Sequence, residues 1–376
     1  MYLLYYTVSD FLHQIRQWSH HRQLLGHRSA NAEEVLQQIT GVYGTHPSGP
    51  LSLLARVQNF TPAAYHLLDA QKKAFRVPAM RESVYLLHAA QAATVFSATL
   101  PPANHVYWQK RYTQPGRHIP PELYEPMKQA ILQTAITPMP PDYLKQTLQI
   151  PDAILKPLLN RLAFEGFLLR VGATGLRANN ITYVSAAVWA GGQLVRVPEP
   201  QALAWLAAQY LSGFGPARVK DFQWWAGITA AKAKEAIAAT PTVELGGGLL
   251  LPAALLPQFE NFKATPEDCL DLLPQWDSYT MGYAPDGRQR FVNPDKQERL
   301  YGKLGATGGN AMETVLVNGL AHGVWKPAIS GNKINLSVTL WEKPGAKLTH
   351  LLQGQFAQLA NFLQLTPGTV EIETAK

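Results

Sequence analysis

Apolar residues recur three and four residues apart along several stretches of the chain, and this spacing predicts where the helices lie. In the segment 152–165 four leucines follow the spacing, and Gly166 comes directly after the last turn, where a glycine commonly ends a helix. The same pattern, with cap residues such as Asn31 and Thr61, predicts further helices over 10–25, 32–40, 51–57, 62–73, 141–148, 201–211, 217–225 and 229–239.

The tail over 346–365 also carries an apolar stripe at helical spacing. Its polar face holds glutamine and histidine but few lysines or arginines, whereas a helix lying on a membrane surface is usually rich in basic residues. The stripe therefore predicts a helix docked on the protein core.

Alternation of apolar and polar residues predicts strands. Residues 334–340 read INLSVTL and place every second side chain on one face. Asn318-Gly319 is a dipeptide that favours a tight hairpin turn. Further strands are predicted over 81–88, 167–172 and 181–189, and a hairpin over 241–252.

The order of these elements predicts winged-helix units. From residue 141 the order is helix, helix, strand, glycine-rich loop, strand, so the loop with Arg177 is the expected wing. Residues 201–252 repeat a similar order, and their third helix carries Lys232 and Lys234 on the element expected to approach DNA. Trp225 is expected to be buried beneath that helix.

Composition narrows the functional classes. The chain has 376 residues, enough for two or three domains, and a net charge of +7 with only 16% charged residues, which favours a polyanionic partner. One cysteine excludes an internal disulfide, a zinc finger and an iron–sulfur cluster, so we expect a reducing cytoplasm. The sequence has no apolar run of about 18 residues and its opening lacks the features of a signal peptide, so we expect no membrane partner.

Four segments carry a resemblance to a known family. YLSGFGPARVKDFQWWAG (210–227) is the most specific, and it is joined by FRVPAMRESVYLLHA (75–89), LLPQWDSYTMGY (272–283) and GGNAMETVLVNGLAHGVW (308–325). Together they resemble a winged-helix DNA-binding family that includes the AlkZ/YcaQ-type bacterial DNA glycosylases. In the second of these segments, Glu82-Ser83 stands where the family usually has Gly-Thr.

The resemblance implies a mainly α fold of the α+β class, with three tandem winged-helix units and a small β-barrel-like element near the C-terminus. The expected divisions are 1–136, 137–198, 199–262 and 263–376, and the first unit carries the catalytic-motif position. It further implies a protein that binds double-stranded DNA as a monomer and uses no metal, nucleotide or organic cofactor.

The chain departs from the family at the catalytic motif. The family has Gln-Φ-Gln or Gln-Φ-Asp in a G-L-Q-A-Q-D-P type of segment, and here residues 41–47 read GVYGTHP. Tyr43 and Thr45 therefore replace the two polar residues, and His46 precedes the proline. Thr45 is a candidate for positioning a water, neutral His46 for accepting its proton, and Tyr43 for stacking or hydrogen bonding. The alternative is that Tyr43 packs, Thr45 caps a turn and His46 is solvated.

Other acidic, histidine and basic residues are candidates on their chemistry. Asp277 and Asp221 are expected to be buried carboxylates that accept backbone hydrogen bonds, although Asp277 has an acid role as its alternative. His20, His21 and His27 do not form a convincing metal-ligand set. The candidate DNA contacts are Arg56, Arg76, Arg81, Arg170, Arg177, Lys220, Lys232 and Lys234.

Three functions stay open at this point. The first is a glycosylase that hydrolyses the N-glycosidic bond of alkylated bases in duplex DNA without a covalent intermediate. The second is a catalytically silent DNA-binding protein of the same fold. The third is a protein-interaction scaffold that uses exposed aromatics such as the pair Trp224-Trp225.

Overall fold

The computed structural model describes residues 8–45, 47–172, 175–178, 180–191, 194–263, 269–303 and 309–375. Runs of helices are separated by groups of strands, as in an α+β protein. The helices are α1 (Val8–Arg22), α2 (Ala32–Gln38), α3 (Ser48–Leu54), α4 (Pro62–Ala70), α5 (Ala89–Thr99), α6 (Val106–Arg111), α7 (Pro121–Thr134), α8 (Pro141–Leu148), α9 (Asp152–Phe164), α10 (Ala186–Trp189), α11 (Glu199–Phe214), α12 (Val219–Ala226), α13 (Ala230–Ala238), α14 (Leu256–Glu260), α15 (Gln297–Tyr301) and α16 (Ala346–Phe362).

The strands form two five-stranded sheets and one hairpin among the described residues. They are β1 (Val42–Tyr43), β2 (Ala74–Pro78), β3 (Val84–His88), β4 (Leu168–Val171), β5 (Thr182–Ser185), β6 (Thr242–Glu244), β7 (Leu250–Pro252), β8 (Leu270–Leu273), β9 (Thr314–Val317), β10 (Leu320–Ser330), β11 (Lys333–Leu340) and β12 (Thr366–Thr374).

The helix starts follow the predicted caps. The side chain of Asn31 accepts a hydrogen bond from the backbone N–H of Glu34 at 2.8 Å, and the side chain of Thr61 accepts one from Ala64 at 3.2 Å. Each bond satisfies a backbone donor that the first turn of a helix leaves unpaired. Gly166 has a φ of +84° just after α9, which confirms the predicted stop.

The first sheet has the strand order β1-β3-β2-β4-β5, and all its pairs are antiparallel. The contact between β2 and β4 is the pairing of Arg76 with Arg170. The predicted division at residue 136 thus separates strands that share one sheet. Helices α8 and α9, strand β4, a loop and strand β5 follow in the predicted order.

Two predicted strands are shorter than expected. The strand predicted over 181–189 ends at Ser185, because Ala186 begins the short helix α10. The strand predicted over 81–88 begins at Val84, since Arg81 and Glu82 have φ values of +52° and +55° and form a turn.

Helices α11, α12 and α13 and the hairpin β6–β7 also follow the predicted order. Trp225 is 2% exposed, and its ring lies 5.0 Å from that of Tyr210 and 5.4 Å from that of Phe214. Helix α13 covers this group with the buried residues Ala233 and Ala236. The prediction that Trp225 is buried is confirmed.

The C-terminal sheet has the strand order β12-β11-β10-β9-β8. Its edge strands β8 and β12 each have one neighbour among the described residues, so the sheet is open and the expected barrel-like element is not found. Asn318 and Gly319 turn β9 into β10 with φ values of +51° and +77°, as a tight hairpin turn requires. No helix in the described part of the chain is long and apolar enough to span a bilayer.

Helix α16 docks on the core as predicted and connects the parallel strands β11 and β12. Its Leu352, Phe356 and Leu359 are buried in one cluster with the alternating apolar residues of β11. The same cluster includes residues of α2 and α3, and Phe362 stacks on Phe60 at 5.4 Å. The C-terminal part therefore packs against the first helices, near the motif segment.

Candidate active site and nucleic-acid interface

The motif segment lies along the backbone of β3. Val42 and Tyr43 pair with Leu86 and Tyr85, and the backbone N–H of Gly44 donates to the carbonyl of Val84 at 2.8 Å. Gly41 has a φ of +83°, and a Cβ there would come within 2.7 Å of the Leu86 carbonyl oxygen. The glycine is therefore needed for the close approach that fixes the segment.

Tyr43 is half-buried in a small aromatic group. Its ring lies 5.3 Å from that of Trp276 and 5.6 Å from that of Tyr85. Burial raises the pKa of Tyr85 to about 12, although the nearby charge of Arg81 opposes the shift. The motif position thus presents aromatic faces close to a guanidinium.

Thr45 is half-buried, but its hydroxyl oxygen is enclosed and has no hydrogen-bond partner among the described residues. Its carbonyl accepts from the N–H of Gly49 at 2.9 Å as α3 begins, so the predicted role in a turn falls to its backbone. An enclosed hydroxyl without a partner carries a desolvation cost. His46 lies outside the described residues.

Asp277 does not serve as an acid in this arrangement. It is fully buried and accepts hydrogen bonds from both terminal nitrogens of Arg56, each at 2.7 Å, from the Ser52 hydroxyl at 2.7 Å and from the Tyr279 N–H at 2.9 Å. Four donors occupy the carboxylate, so the expectation that Asp277 is a buried, hydrogen-bonded carboxylate is confirmed, although only one of the donors, the Tyr279 N–H, belongs to the backbone.

Three of the predicted DNA contacts lie in the interior. Arg56 is 0% exposed, and Asp277 holds its guanidinium. Arg76 is 1% exposed, is ion-paired with Asp69 and donates to the Tyr65 hydroxyl at 2.8 Å. A side chain without exposed surface cannot reach a phosphate, so both assignments are wrong.

Arg170 is the third of these. It is 8% exposed, and its guanidinium donates to the side-chain oxygen of Asn160 at 2.7 Å. Its charge is directed into the protein, so Arg170 also leaves the set of DNA contacts.

The other five predicted cations reach the surface. Arg81 is half-buried, and its guanidinium carbon lies 4.0 Å from the ring centre of Trp224, a cation–π distance. Arg177 and Lys234 are exposed, Lys220 pairs with Asp286 at 3.0 Å, and Lys232 pairs with Glu199 at 2.5 Å. Exposed pairs of this kind contribute little stability, so these cations can exchange their partners for phosphates.

Asp221 is the predicted buried carboxylate, and it caps the start of α12. It is fully buried and accepts from the backbone N–H of Arg218 at 3.0 Å and of Ala284 at 3.1 Å. The neighbouring Asp286 is exposed, and hydrogen bonds from Arg218 and Lys220 lower its pKa to about 2.

One group of potential metal ligands occurs among the described residues. The donor atoms of His20, Cys269 and Asp271 lie within 4.8 Å of one another, and the His20 Nε2 is 2.7 Å from the Asp271 carboxylate. Burial raises the pKa of the Cys269 thiol, which disfavours the thiolate that a metal needs. The other ring nitrogen of His20 has no partner among the described residues, whereas a metal-bound histidine usually donates from that atom. The group fits a buried hydrogen-bonded pair better than a metal site.

The comparisons with known proteins settle the family. The family model described as "DNA glycosylase AlkZ-like" matches residues 35–362, which is most of the chain. The chain belongs to the AlkZ-like DNA glycosylase family. This membership supports a DNA-repair glycosylase that binds DNA.

A solved structure agrees with this assignment. The chain is similar to Streptomyces sahachiroi DNA glycosylase AlkZ with a TM-score of 0.73, 18% sequence identity, and coverage of 96% of this chain and 98% of that chain. At this identity the likeness shows the fold alone. No curated protein matches the chain.

At the motif, the resemblance to the family predicts a pair of residues with amide or carboxylate side chains. Tyr43 and Thr45 stand there, and the aromatic group is completed by Trp276, which the sequence analysis did not single out. The one indication of Trp276 in the sequence is its position next to Asp277, within the segment 272–283 that resembles the family.

Position 82 is a glutamate in this chain, whereas the resemblance to the family predicts a glycine, and the backbone conformation shows why a glycine suits the position. Glu82 has a φ of +55°, a conformation that favours glycine. Its carboxylate accepts hydrogen bonds from the Tyr107 hydroxyl and from Arg111, which a glycine could not receive. These bonds offset the cost of the conformation.

Proposed function

We propose that the protein is a monofunctional DNA glycosylase that hydrolyses the N-glycosidic bond of alkylated bases in duplex DNA. Membership of the AlkZ-like family over residues 35–362 is the observation that carries the proposal. The aromatic group at the motif position supports the choice of lesion. The test is single-turnover excision from duplex DNA that contains an N7-alkylguanine.

Aromatic faces suit a base that carries positive charge. N-alkylated purines are cationic while they are still bonded to the sugar, and a cation is attracted to the faces of tyrosine and tryptophan. Tyr43 and Trp276 are both half-buried, so each residue keeps some surface open to solvent. A lesion turned out of the duplex would bind against these rings more tightly than a neutral base.

The chemistry then needs a positioned water. Because the cationic base leaves without being protonated, the protein must place a water near C1′ and accommodate positive charge on the sugar. The Thr45 hydroxyl has no hydrogen-bond partner among the described residues and is the group proposed to hold the water, which requires the enclosed hydroxyl to become accessible when the lesion binds. His46 is the proposed acceptor of the proton of that water. The faces of Tyr43 and Trp276 would partly replace the charge of the missing carboxylate.

The DNA interface is proposed to use three winged-helix units. The expected first unit is 1–136, the order α8, α9, β4, loop, β5 is the second, and the order α11, α12, α13, β6, β7 is the third. In this arrangement α13 presents Lys232 and Lys234, and the loop before β5 presents Arg177.

Replacing Arg177 and Lys232 with glutamine is expected to weaken duplex binding and make it less sensitive to salt. Each phosphate contact contributes about −0.9 to the slope of log affinity against log salt, so losing one or two should make the slope shallower by about one to two. Fluorescence anisotropy across a salt series measures this slope. The exposed Lys343, replaced with glutamine, is the matched control and should leave the slope unchanged. Absence of duplex binding by the native protein at about 50 mM salt would overturn the DNA interface.

Arg81→Gln is expected to lower duplex affinity by about tenfold, the effect of losing one charged contact. Arg81 lies between the aromatic motif group and Trp224, so its charge is placed to meet the phosphates beside the lesion. Arg81→Lys keeps the charge and should restore most of the affinity. If the glutamine and lysine variants bind equally weakly, the stacked guanidinium rather than its charge is what matters.

A catalytically silent DNA-binding protein is the second candidate. The occupied state of Asp277 favours it, because four donors hold the carboxylate next to Trp276 and none of its hydrogen-bonding capacity is left for a water. The scaffold function finds less support, since Trp225 is buried and Trp224 is covered by Arg81.

A further inference from the structure

A pocket of about 270 Å³ lies between α9 and the segment that joins α6 to α7. Three of its lining residues are cations, Arg111, Arg117 and Lys156, and no acidic residue lines it among the described residues. The pocket does not include the motif segment or any of the cations assigned above to the DNA interface. Its chemistry is that of an anion site.

Two of the cations are available to a ligand. Arg117 and Lys156 are exposed, and neither has an ion-pair partner within the described part of the chain. Arg111 is held in place, because one terminal nitrogen donates to the Glu82 carboxylate and to the Tyr107 hydroxyl. Its Nε is buried and has no hydrogen-bond partner among the described residues.

Asn160 adds a neutral donor whose orientation is fixed. Its side-chain oxygen accepts from Arg170 at 2.7 Å, so the oxygen points to Arg170 and the amide N–H groups are left to donate. Lys156 and Asn160 are four residues apart on α9 and therefore share a face of the helix.

The surrounding acids do not cancel the positive charge. Glu82 is paired with Arg111, and Glu165 is paired with Arg161 at 3.0 Å. Burial raises the pKa of Tyr112, on the pocket wall, to about 12, while Arg111 and Arg117 both oppose the shift, so both charges act on this wall. Arg117 and Lys156 leave two positive charges unbalanced.

We propose that this pocket binds one phosphate group of the DNA backbone. Residues with guanidinium, ammonium and amide donors line it, which suits a tetrahedral oxyanion. Tyr112 and Phe164 on its walls are 3% and 6% exposed and leave little aromatic surface for stacking a base. The inference rests on the proposed function, because α9 is the second helix of a proposed winged-helix unit, the element expected to face DNA.

The double variant Arg117→Gln with Lys156→Gln tests the pocket in the full-length protein. Losing one phosphate contact should weaken duplex binding by about tenfold and make the salt slope shallower by about one. Lys343→Gln is the control for removing surface charge elsewhere, and thermal melting checks that each variant is folded. An unchanged slope in a folded double variant would overturn the proposal.

A scan of duplexes that each carry one uncharged methylphosphonate linkage identifies the phosphate. One linkage should weaken binding to the native protein by about tenfold and have no further effect on the double variant. If no linkage behaves in this way, the pocket does not bind backbone phosphate. In that case the protein is titrated with inorganic phosphate, and the fluorescence of nearby Trp108 monitors binding. Saturable binding would assign the pocket to a free anion and reject the DNA assignment.

The test of the pocket and the test of the proposed function can give different answers. Base excision by the native protein is scored in its own assay and does not depend on the slope of the double variant. A shallower slope without any excision supports the pocket and rejects the glycosylase activity. Excision with an unchanged slope supports the activity and rejects the pocket.

Discussion

Replacing Thr45 with valine is expected to slow single-turnover excision of N7-alkylguanine by about 10²–10⁴-fold, the effect of removing a group that assists proton transfer or places the water. Valine keeps the shape of threonine and removes the hydroxyl, which is enclosed and has no partner among the described residues. Duplex affinity should change by less than tenfold. Quenched-flow analysis of the abasic product, with anisotropy for binding, measures both.

Thr134→Val is the matched control. Its hydroxyl donates to the carbonyl of Ala130 within α7, away from the motif segment, so the excision rate should be that of the native protein. Equal rates for Thr45→Val and the native protein would remove Thr45 from the mechanism. His46→Ala, assayed in the same way, tests the proposed proton acceptor.

Installing the residues that the family has at the motif separates an active site from a silent one. Tyr43→Gln with Thr45→Asp should preserve or raise the rate, because a fixed carboxylate stabilises positive charge on the sugar. If the native protein is inactive and this double variant excises the base, the fold binds DNA but the native motif is silent.

Asp277→Ala is expected to lower the free energy of unfolding by about 3–5 kcal/mol, because it leaves the fully buried Arg56 guanidinium without its counter-ion. The ion pair joins two distant parts of the chain, since Arg56 follows α3 and Asp277 follows β8. Urea unfolding followed by tryptophan fluorescence measures it.

Asp286→Asn is the matched control, because Asp286 is exposed and its partner Arg218 is only partly buried and keeps its second pairing with Asp221. This variant should lower the free energy of unfolding by less than about 1 kcal/mol. Arg56→Met combined with Asp277→Leu removes both buried charges and should recover much of the stability lost by Asp277→Ala. A double variant as unstable as the single one would show that the pair does not act through its charges.

Local signals predicted many of the elements. Asn31, Thr61 and Asn318-Gly319 act within a few residues of themselves, so their caps and turn could be inferred from the sequence alone. The docking of α16 followed from its apolar stripe. Strand β2 was missed because its five residues are all buried, so its sequence shows no alternation.

The candidate site depended on pairings that the sequence does not reveal. Arg56 and Asp277 are 221 positions apart, and only the fold shows that they neutralise each other. Arg76 and Arg170 occupy paired positions on adjacent strands, where burial removes both from the surface. Trp276 joins Tyr43 through the same long-range packing. Charge and motif position indicate a candidate site segment, but they do not show which cations are accessible.

The central claim is that this chain removes alkylated bases from duplex DNA. The most direct measurement incubates excess native protein with a duplex that carries one N7-methylguanine and quantifies the abasic product over time. Product should rise well above the buffer control, and a parallel undamaged duplex should stay intact. A native protein that binds the duplex but yields product at the rate of the buffer control would contradict it.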